Sequence, residues 1–404
     1  MHRTKYIILG AGPAGLSFAN RLRQAGETSF LVLEREAEPG GLCRSMMVDG
    51  APLDIGGGHF LDVRRPAVNE FLFSFLPEDE WNAFERDSRI DLMWATVHHP
   101  LEANLCELPV PDQVRYLMSV AAAGCNTGAP QPSSFVDWIR WKLGDRISED
   151  YMLPYNRKMF GNALESLGTY WLEKLPSVSF EETLRSCLEK KPFGTQPGHA
   201  QFYYPKRYGY GEVWLRMGRA LGDRLVLNAR AAALDLDART VTDQNGRTYA
   251  AGTIVTTVPW RSFARVEGLT PELAAAIPSL LHTSVETQYF PRHMDIDAHW
   301  VYCPDPALPY HRILVRHNFC PGSRGYWTET NAERAADTDC TFRHRCDYNY
   351  PLNTADKPAV MDALLRHCAA RGVYGLGRWG EHEHYNSDLT VEKAIRLAEM
   401  LAKR

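Results

Sequence analysis

The chain has 404 residues, of which 45% are hydrophobic and 23% are charged, and its formal net charge is −4. These values are typical of a globular protein with two or three lobes, and they exclude a broadly basic surface that would attract nucleic acid or anionic membranes. No apolar run reaches the roughly 20 residues that cross a bilayer. The first predicted strand begins at Thr4, leaving no room for a signal peptide, so we expect a cytoplasmic protein.

The cysteines and histidines show no metal-binding pattern. The nine cysteines are scattered, odd in number and without a C-x-x-C pair, so we expect free thiols rather than disulfides or zinc ligands. The 14 histidines include no H-E-x-x-H motif. His98-His99 and His382-Glu383-His384 are better explained as surface or substrate-pocket residues. No metal site is predicted.

A turn typical of dinucleotide binding opens the chain. Residues 4–9 are an apolar run that predicts a buried strand, and they lead directly into the G-x-G-x-x-G of residues 10–15. The first glycine allows the tight turn, the second lets the backbone approach a pyrophosphate, and the third lets the following helix pack against the strand. The helix N-terminus offers N–H groups to the phosphates. The predicted contacts are Gly10, Gly12, Pro13, Ala14 and Gly15.

A second strand is predicted over residues 30–33, and it ends at Glu34, whose carboxylate can bind the ribose hydroxyls of an adenosine. A glycine-rich turn without a ligand would not explain this acid. A further glycine motif follows, with Arg35, Gly41 and Leu42. It resembles the second glycine motif of the flavoproteins that include amine oxidases, protoporphyrinogen oxidase and UDP-galactopyranose mutase. The resemblance implies FAD rather than NAD.

A turn of three glycines, residues 56–58, precedes His59 and follows a hairpin predicted at residues 46–54. The relatives named above have a G-G-H-like turn beside the flavin, which implies the same position for Gly57, Gly58 and His59. A capping or packing role is the alternative for this histidine. Residues 66–140 are expected to be mostly helical, with a loop at 125–134 and a helix capped by Ser133 or Ser134.

The middle of the chain resembles the UDP-galactopyranose mutase family more closely. The family's Y-P-F-Q-N-like stretch corresponds to residues 99–104, and its P-Y-N-x-K-x-W stretch corresponds to residues 154–160. Its W-L-G-E-R-like segment corresponds loosely to residues 171–174. The resemblance implies substrate contacts by Glu102, Asn104, Tyr155, Asn156, Trp171 and Lys174.

A second β-rich lobe is predicted at residues 283–335, after strands near 225–227, 231–236 and 253–259. The mutases have a W-x-Y-x-P motif followed, ten residues after its tyrosine, by an arginine that binds the phosphates of the sugar nucleotide. Tyr302 and Arg312 keep this spacing. Guanidinium is a planar, permanently charged phosphate donor. The implied substrate contacts in this lobe are Trp300, Tyr302, Arg312, Asn318 and Phe319, the last replacing a tyrosine of the eukaryotic mutases.

The C-terminal segment resembles the G-R-x-G turn and final helix of these relatives, in which the turn lies against the flavin ribityl chain and pyrophosphate. A helix is expected at residues 358–370, and the final one from about residue 390. The mutases continue with a K/R-Y-x-x-x-D string, where this chain has residues 383–388. The resemblance implies cofactor contacts by Gly377, Arg378, Asn386, Ser387 and Asp388, and substrate contacts by Tyr350, His384 and Tyr385.

The expected fold is α/β, with a Rossmann-like FAD-binding domain of the GR2 type that carries two insertions. The FAD-binding domain is predicted to comprise residues 1–75, 200–275 and 345–404. A mainly helical substrate lobe is expected at residues 76–199, and an antiparallel β-sheet substrate lobe at residues 276–344.

The resemblance implies a flavin-dependent nucleotide-sugar mutase that interconverts pyranose and furanose forms, with N5 of reduced FAD as the nucleophile at the anomeric carbon. His59, Arg312 and Lys174 are the predicted catalytic residues. The implied partners are a nucleotide-sugar substrate and an external reductant such as NAD(P)H or a reductase. Glu102 replaces a glutamine that reads uracil in some members, and a carboxylate could favour cytosine or guanine.

Two other functions remain open at this stage. An FAD oxidoreductase that removes a hydride from an amine or a C–H bond would share the FAD-binding lobes. A non-catalytic flavin- or nucleotide-binding protein would bind FAD without turning over any sugar. The motif at residues 154–156 and the spacing of Tyr302 and Arg312 favour the mutase. The oligomeric state is not predicted.

Overall fold

The structure is a computed structural model, and it describes residues 2–172, 178–193 and 200–403. Its strands are β1 (His2–Leu9), β2 (Phe30–Leu33), β3 (Ser45–Val48), β4 (Ala51–Asp54), β5 (Leu61–Asp62), β6 (Trp81–Glu85), β7 (Ser88–Asp91), β8 (Thr96–His98), β9 (Gln201–Pro205), β10 (Leu225–Val226), β11 (Ala231–Asp235), β12 (Thr240–Asp243), β13 (Thr248–Thr256), β14 (Arg265–Glu267), β15 (Val285–Phe290), β16 (Trp300–Tyr302), β17 (Arg312–Val315), β18 (Tyr326–Asn331), β19 (Phe342–Cys346) and β20 (Val373–Gly375).

The helices in the same residues are α1 (Pro13–Gln24), α2 (Pro66–Phe73), α3 (Val110–Ala121), α4 (Gly124–Thr127), α5 (Phe135–Ile147), α6 (Leu153–Phe160), α7 (Phe180–Glu189), α8 (Gly211–Arg219), α9 (Pro271–Ala276), α10 (Arg316–Phe319), α11 (Lys357–Ala369), α12 (Gly377–Gly380) and α13 (Ser387–Ala402). The predicted starts near residues 66, 111, 135 and 358 are confirmed. The final helix begins three residues before the predicted position. Ser134 caps α5, because its hydroxyl accepts a hydrogen bond from Asp137 N at 3.4 Å.

An eight-stranded sheet carries the dinucleotide-binding turn. Its order is β10-β2-β1-β13-β12-β11-β14, with β20 also paired to β13. The strands β10, β2, β1, β13 and β20 are parallel. Successive residues of β1 face two cores: Ile8 packs with α1 and α13, whereas Ile7 packs with α11. Burial on both faces explains why this strand is a continuous apolar run rather than an alternating one.

A seven-stranded sheet, ordered β19-β15-β18-β17-β16-β7-β8, forms the second large layer. It is antiparallel except for β7, which runs parallel to β16. Tyr302 lies directly opposite Arg312, and Arg312 lies opposite Glu329, so their side chains share one face of the sheet. The same face meets the first lobe, where Thr287 Oγ1 donates to Ile55 O at 3.2 Å.

The expectation of mostly helical structure at residues 66–140 is wrong between residues 81 and 98, where β6, β7 and β8 lie. β6 pairs with β9, and β7 pairs with β16, more than 200 residues further along the chain. Pairing at that distance depends on tertiary contacts, which override local propensity. Residues 81–98 therefore contribute β6 to a three-stranded sheet, ordered β5-β9-β6, and β7 and β8 to the seven-stranded sheet.

The predicted β-rich lobe at residues 283–335 also contains a helical turn. β17 stops at Val315, and α10 follows as a single helical turn. Arg316 explains the change of direction, because its fully buried guanidinium donates to Val48 O at 2.8 Å and to Arg324 O at 2.6 Å. These bonds join the second sheet to the β3–β4 hairpin.

Candidate functional site

The dinucleotide turn lies at the carboxyl end of β1. Gly10 has a φ of +95°, which a residue with a side chain rarely adopts. A Cβ at Gly15 would lie 1.9 Å from Gly10 O, so this glycine lets α1 approach the strand. Gly12 is the N-cap residue of α1, and because it has no side chain, no side-chain cap occupies the start of the helix. A Cβ on Gly41 would lie 3.1 Å from Gly12 Cα, so the two glycine motifs meet and form a cradle without side chains.

Glu34 closes the same end of the sheet. Its Oε2 accepts a hydrogen bond from Ala11 N at 2.6 Å, and its Oε1 accepts one from Glu36 N at 3.0 Å. Burial raises the pKa of this carboxyl, although the two backbone donors oppose the shift. The acid therefore lies beside the glycine turn, as the sequence predicted.

A cavity of about 510 Å³ runs from the glycine turn to α12 and the start of α13. The predicted cofactor residues that line it are Gly10, Gly12, Pro13, Ala14, Glu34, Arg35, Gly41, Leu42, His59, Arg378 and Ser387. Tyr385, predicted as a substrate contact, also lines it. The space, the glycine cradle and the open N-terminus of α1 fit the adenosine diphosphate part of a dinucleotide cofactor.

Several wall residues were not predicted. Strand β13 ends beside the cavity and places Thr257, Val258, Pro259 and Arg261 in the wall. The sequence predicts this strand, and ligands bind outside the carboxyl ends of parallel strands. The wall residues that follow β13 could therefore have been predicted. The other unpredicted wall residues are Leu33, Glu36, Cys43, Arg44, Ala229, Arg230, Ala231, Ser262, Cys346, Asp347, Tyr348, Trp379 and Thr390. Most of these meet only in the folded chain.

The G-R-x-G turn holds the opposite wall. Arg378 donates to Tyr385 O through Nε at 3.1 Å and through Nη2 at 2.8 Å, and to Asn349 O through Nη1 at 3.0 Å. These carbonyls fix the guanidinium in the wall without neutralising its charge. Gly377 has a φ of +73°, and a Cβ there would lie 2.6 Å from Ala14 Cβ. It thus allows the turn to pack against α1 rather than contacting the cavity.

Two predicted cofactor residues at the start of α13, Asn386 and Asp388, lie outside the wall of the cavity. Asp388 is outside the cavity wall, is buried, and accepts from Arg65 Nε at 2.6 Å, so it acts as an ion-pair partner. Asn386 is the N-cap residue and makes no side-chain cap. Ser387 keeps a place in the wall, with its hydroxyl 2.7 Å from Tyr210 Oη. The string that aligns with the mutases therefore serves mainly to anchor the last helix.

The three-glycine turn joins the cavity to the second sheet. Gly57 has a φ of +96°, and a Cβ there would lie 2.9 Å from Glu329 Oε1. Gly58 donates its N–H to that oxygen at 2.7 Å. His59 lines the cavity, and its Nδ1 lies 2.8 Å from Gly57 O. Gly57 and Gly58 are not in the wall of the cavity, so their contact is with the second sheet.

Arg312 lies next to this turn. It donates to Glu329 Oε2 through Nε at 2.9 Å and through Nη2 at 2.5 Å. Burial lowers the pKa of Arg312, but the charge of Glu329 more than offsets this, so the pKa is raised and the guanidinium stays charged. Tyr155 and Tyr350 are close enough to contribute to the same shift. Arg312 therefore places a permanent cation among phenol groups.

The phenol rings connect the sheet to the cofactor cavity. The ring of Tyr155 is 5.4 Å from that of Tyr302. The ring of Tyr350 is 4.2 Å from His384 and 5.0 Å from the guanidinium carbon of Arg378, which lines the cavity. Tyr155, Tyr302, Tyr350 and His384 thus extend from Arg312 towards the cavity.

Other predicted substrate residues are occupied elsewhere. Phe319 is completely buried and packs against Phe60, Tyr204 and Trp327. The amide of Asn318 donates to Ile296 O and Ala298 O, both at 2.7 Å. The buried ring of Phe319 leaves no polar or exposed atom for a ligand, so the structure does not support a substrate contact there. The amide nitrogen of Asn318 is bound to two carbonyls, and its substrate contact stays a prediction.

A further set of predicted substrate residues stabilises local structure. Asn104 and Asn156 each donate to the carbonyl four residues earlier, at 2.8 Å and 2.7 Å. Trp171 donates to Gly168 O and packs on Phe135, and Trp300 stacks on Phe60 at 5.0 Å. Lys174 lies outside the described residues.

Glu102 is buried, and burial raises the pKa of its carboxyl to about 7. Near neutral pH it can therefore be protonated and donate a hydrogen bond as well as accept one. The preference for cytosine or guanine inferred from a carboxylate at this position does not follow, because a protonated carboxyl presents one donor and one acceptor, as an amide does.

Within the ranges given above, no group of three or more His, Cys, Asp or Glu side chains could hold a metal ion. No helix in the described part of the chain is long and apolar enough to cross a membrane.

A family model for flavin-containing amine oxidoreductases matches residues 13–288, which is more than half of the chain. The chain belongs to this family. The family is described as flavin-containing, which implies FAD, and the glycine cradle and Glu34 in the cavity wall are compatible with that cofactor. The match begins at Pro13, after the first two glycines of the dinucleotide turn, and includes the cavity residues after β13.

Solved structures share the fold over nearly the whole chain. Reduced UDP-galactopyranose mutase is 22% identical, with a TM-score of 0.88, over 99% of this chain and 96% of that one. Cyclohexylamine oxidase from Brevibacterium oxydans is 16% identical, with a TM-score of 0.67, over 99% and 100%. Putrescine oxidase bound to putrescine is 15% identical, with a TM-score of 0.63, over 100% and 99%. The protein is thus a flavoenzyme of this superfamily, and the expected α/β fold with a Rossmann-like FAD-binding region is confirmed.

Proposed function

We propose that this flavoenzyme is a nucleotide-sugar mutase that interconverts pyranose and furanose forms and works with reduced FAD. The observation that carries the proposal is the position of Arg312. It lies on the face of the second sheet that meets the three-glycine turn of residues 56–58. The tyrosines around it lead to the cofactor cavity. A partly buried, permanently charged guanidinium suits a diphosphate leaving group. The mutase structure supports the proposal through its coverage and TM-score.

Each side chain has a proposed part in the reaction. Reduced flavin, when bound, would supply a nucleophilic N5 for the anomeric carbon. Arg312 binds the diphosphate as it leaves and stabilises its charge. Tyr155, Tyr302 and Tyr350 orient the substrate with their hydroxyl groups. His59 lies in the cavity wall, directly after the three-glycine turn, and orients the cofactor from there. Lys174 remains a proposed second cation.

The nucleotide sugar is proposed to differ from UDP-galactose. His384 stands where the mutases place a phosphate-binding tyrosine, and it packs on Tyr350 in the site. Glu102, which replaces the base-reading glutamine, does not add to this argument, because its protonated carboxyl resembles an amide. The replacement at Phe319 has no bearing on the substrate, because that ring is buried. An external reductant such as NAD(P)H or a reductase, and a cytoplasmic location, belong to the same proposal.

An amine oxidase is the second candidate, and the match to the amine oxidoreductase model favours it. The electrostatics of the site favour the mutase. Glu329 is the buried acid on the sheet face, and Arg312 already binds it at 2.5 Å. A substrate ammonium group would have to compete with this guanidinium for the carboxylate, whereas a diphosphate would be attracted to it.

The test uses purified flavin-loaded protein under anaerobic conditions. The flavin is reduced with dithionite, and UDP-, dTDP-, CDP- and GDP-sugars are added separately. We expect a new isomer of unchanged mass from one of them, formed only with reduced flavin, and a loss of at least 100-fold in rate for Arg312→Gln. No isomer from any sugar, with oxygen consumed on an amine instead, would establish the oxidase.

A further inference from the structure

Arg86 is a second arginine on the substrate side of the seven-stranded sheet, and no sequence motif identified it. It lies between β6 and β7, at the point where the chain passes from the three-stranded sheet to the seven-stranded one. Its Nε donates to Ser88 Oγ at 2.9 Å, and its Nη2 lies 3.2 Å from Tyr302 Oη. Its guanidinium carbon is 4.9 Å from the ring centre of Trp300. Stacking and hydrogen bonds therefore fix the plane of the guanidinium.

The position of Tyr302 relates Arg86 to Arg312. Tyr302 lies opposite Arg312 on neighbouring strands, so both side chains leave the same face of the sheet. The Tyr302 hydroxyl is within hydrogen-bond distance of Arg86. Tyr302 thus contacts Arg86 through its hydroxyl and is the neighbour of Arg312 across the strand pair.

His99 also borders Arg86, with Nδ1 3.2 Å from Nη2. Burial, together with the charge of Arg86, lowers the pKa of this histidine well below its usual 6.5. A neutral imidazole adds no positive charge and can accept a hydrogen bond from the guanidinium. It therefore helps to hold Arg86 in place.

The charges in the site call for another cation. Arg312 is paired with Glu329, so together the two groups carry no net charge. A diphosphate brings at least two negative charges into a partly buried site, and burying charge without compensation is costly. A second guanidinium next to the Tyr302 hydroxyl would add positive charge and N–H donors on that side of the site.

We propose that Arg86 binds the anionic diphosphate of the substrate together with Arg312 and the Tyr302 hydroxyl. The inference rests on the proposed function for the identity of the anion. It assigns a binding residue outside the segments that align with the mutases.

The test measures binding to the flavin-loaded protein by calorimetry. The probes are UDP, CDP, GDP, dTDP and inorganic pyrophosphate. Arg86→Gln should weaken the tightest nucleoside diphosphate by at least 10-fold and pyrophosphate by a similar factor. It should also flatten the dependence of affinity on salt, since one ionic contact is lost. Arg86→Lys should recover only part of the affinity, because an ammonium keeps the charge but not the paired donors.

Arg89→Gln is the matched control. Arg89 lies three residues after Arg86, on β7, where its side chain points to the face opposite that of Ser88 and Ile90. It binds Asp87 through two hydrogen bonds of 2.9 Å. The Arg89→Gln protein should bind the five probes as tightly as the unchanged protein does. If Arg86→Gln is too unstable to purify, the comparison of Arg86→Lys with Arg89→Lys decides the matter: equal affinities overturn the inference.

The outcomes separate this inference from the proposed function. Equal affinities of the Arg86→Gln and Arg89→Gln proteins overturn the role of Arg86 and leave the mutase proposal standing. An Arg86-dependent affinity for pyrophosphate in a protein that isomerises no sugar supports the role of Arg86 and removes the mutase. If the unchanged protein binds none of the five probes, both proposals are overturned.

Discussion

Glu329 accepts two hydrogen bonds from Arg312 on a single carboxylate oxygen, Oε2, at 2.9 Å and 2.5 Å. Its other oxygen accepts the N–H of Gly58 at 2.7 Å. The acid is nearly inaccessible to solvent, with 2% of its surface exposed. One buried carboxylate therefore fixes the proposed phosphate-binding arginine relative to the turn beside the cofactor cavity.

Glu329→Gln keeps an oxygen for Gly58 but removes the charge opposite Arg312. Breaking a buried ion pair from one side leaves an uncompensated charge, and we expect the free energy of unfolding to fall by about 3 kcal/mol. Urea denaturation of the flavin-free protein measures it. The double variant Glu329→Gln/Arg312→Gln should lose less than the sum of the two single variants. Additive losses would show that the pair is not coupled.

Replacing Gly12 or Gly15 by alanine is predicted to affect different properties: FAD binding for Gly12 and stability for Gly15. A Cβ on Gly15 would meet Gly10 O at 1.9 Å, so Gly15→Ala should lower the stability of the flavin-free protein by about 2 kcal/mol. A Cβ on Gly12 has ordinary contact with Gly41 Cα at 3.8 Å, so Gly12→Ala should leave that stability unchanged and weaken FAD binding instead. Denaturation and flavin titration of both variants test this. Equal stability losses would contradict the division of roles.

Asp54 is predicted to make the protein less stable as the pH rises from about 4 to 7. Burial raises the pKa of this carboxyl from 3.8 to about 7, against the opposing hydrogen bond from Ser45. The folded protein then binds a proton that the unfolded chain releases, so the contribution is complete below pH 4 and is lost as the pH passes 7. Its size is at most about 4 kcal/mol, from three units at 1.36 kcal/mol each.

The measurement compares the unchanged protein with Asp54→Asn by urea denaturation at pH 5 and pH 7.5. Other groups oppose the trend: burial lowers the pKa of His311 to about 3, so its contribution is lost as the pH falls below 6.5. The difference between the two proteins isolates Asp54. Asp54→Asn should lose less stability than the unchanged protein between the two pH values, and parallel profiles would rule out the buried proton.

Phe319→Tyr tests whether position 319 belongs to the substrate site. The ring is completely buried, so the added hydroxyl would lie in an aromatic cluster, and we expect a loss of about 1–3 kcal/mol in stability with no gain in nucleotide affinity. Thermal unfolding and calorimetry with the nucleoside diphosphates measure the two quantities. Tighter binding at unchanged stability would return this position to the site.

The sequence by itself determined the parts of the site that depend on local geometry. Gly10 and Gly15 are needed for a tight turn and a close helix, and Glu34 ends a strand of fixed length, so their spacing along the chain places them at one edge of the sheet. Tyr302 and Arg312 were identified through the resemblance to the mutases, and the structure places them opposite each other on adjacent antiparallel strands.

Tertiary structure alone decided the rest. Glu329 and Gly58 are 271 residues apart and meet only because the second sheet packs on the three-glycine turn. Arg86 reaches Tyr302 because β7 pairs with β16 across a similar span of chain. Phe319 aligned with a phosphate-binding residue, but the helical turn after β17 directs it into the core. Local propensity carries no record of which distant surfaces will pack together, so these contacts had to be read from the folded chain.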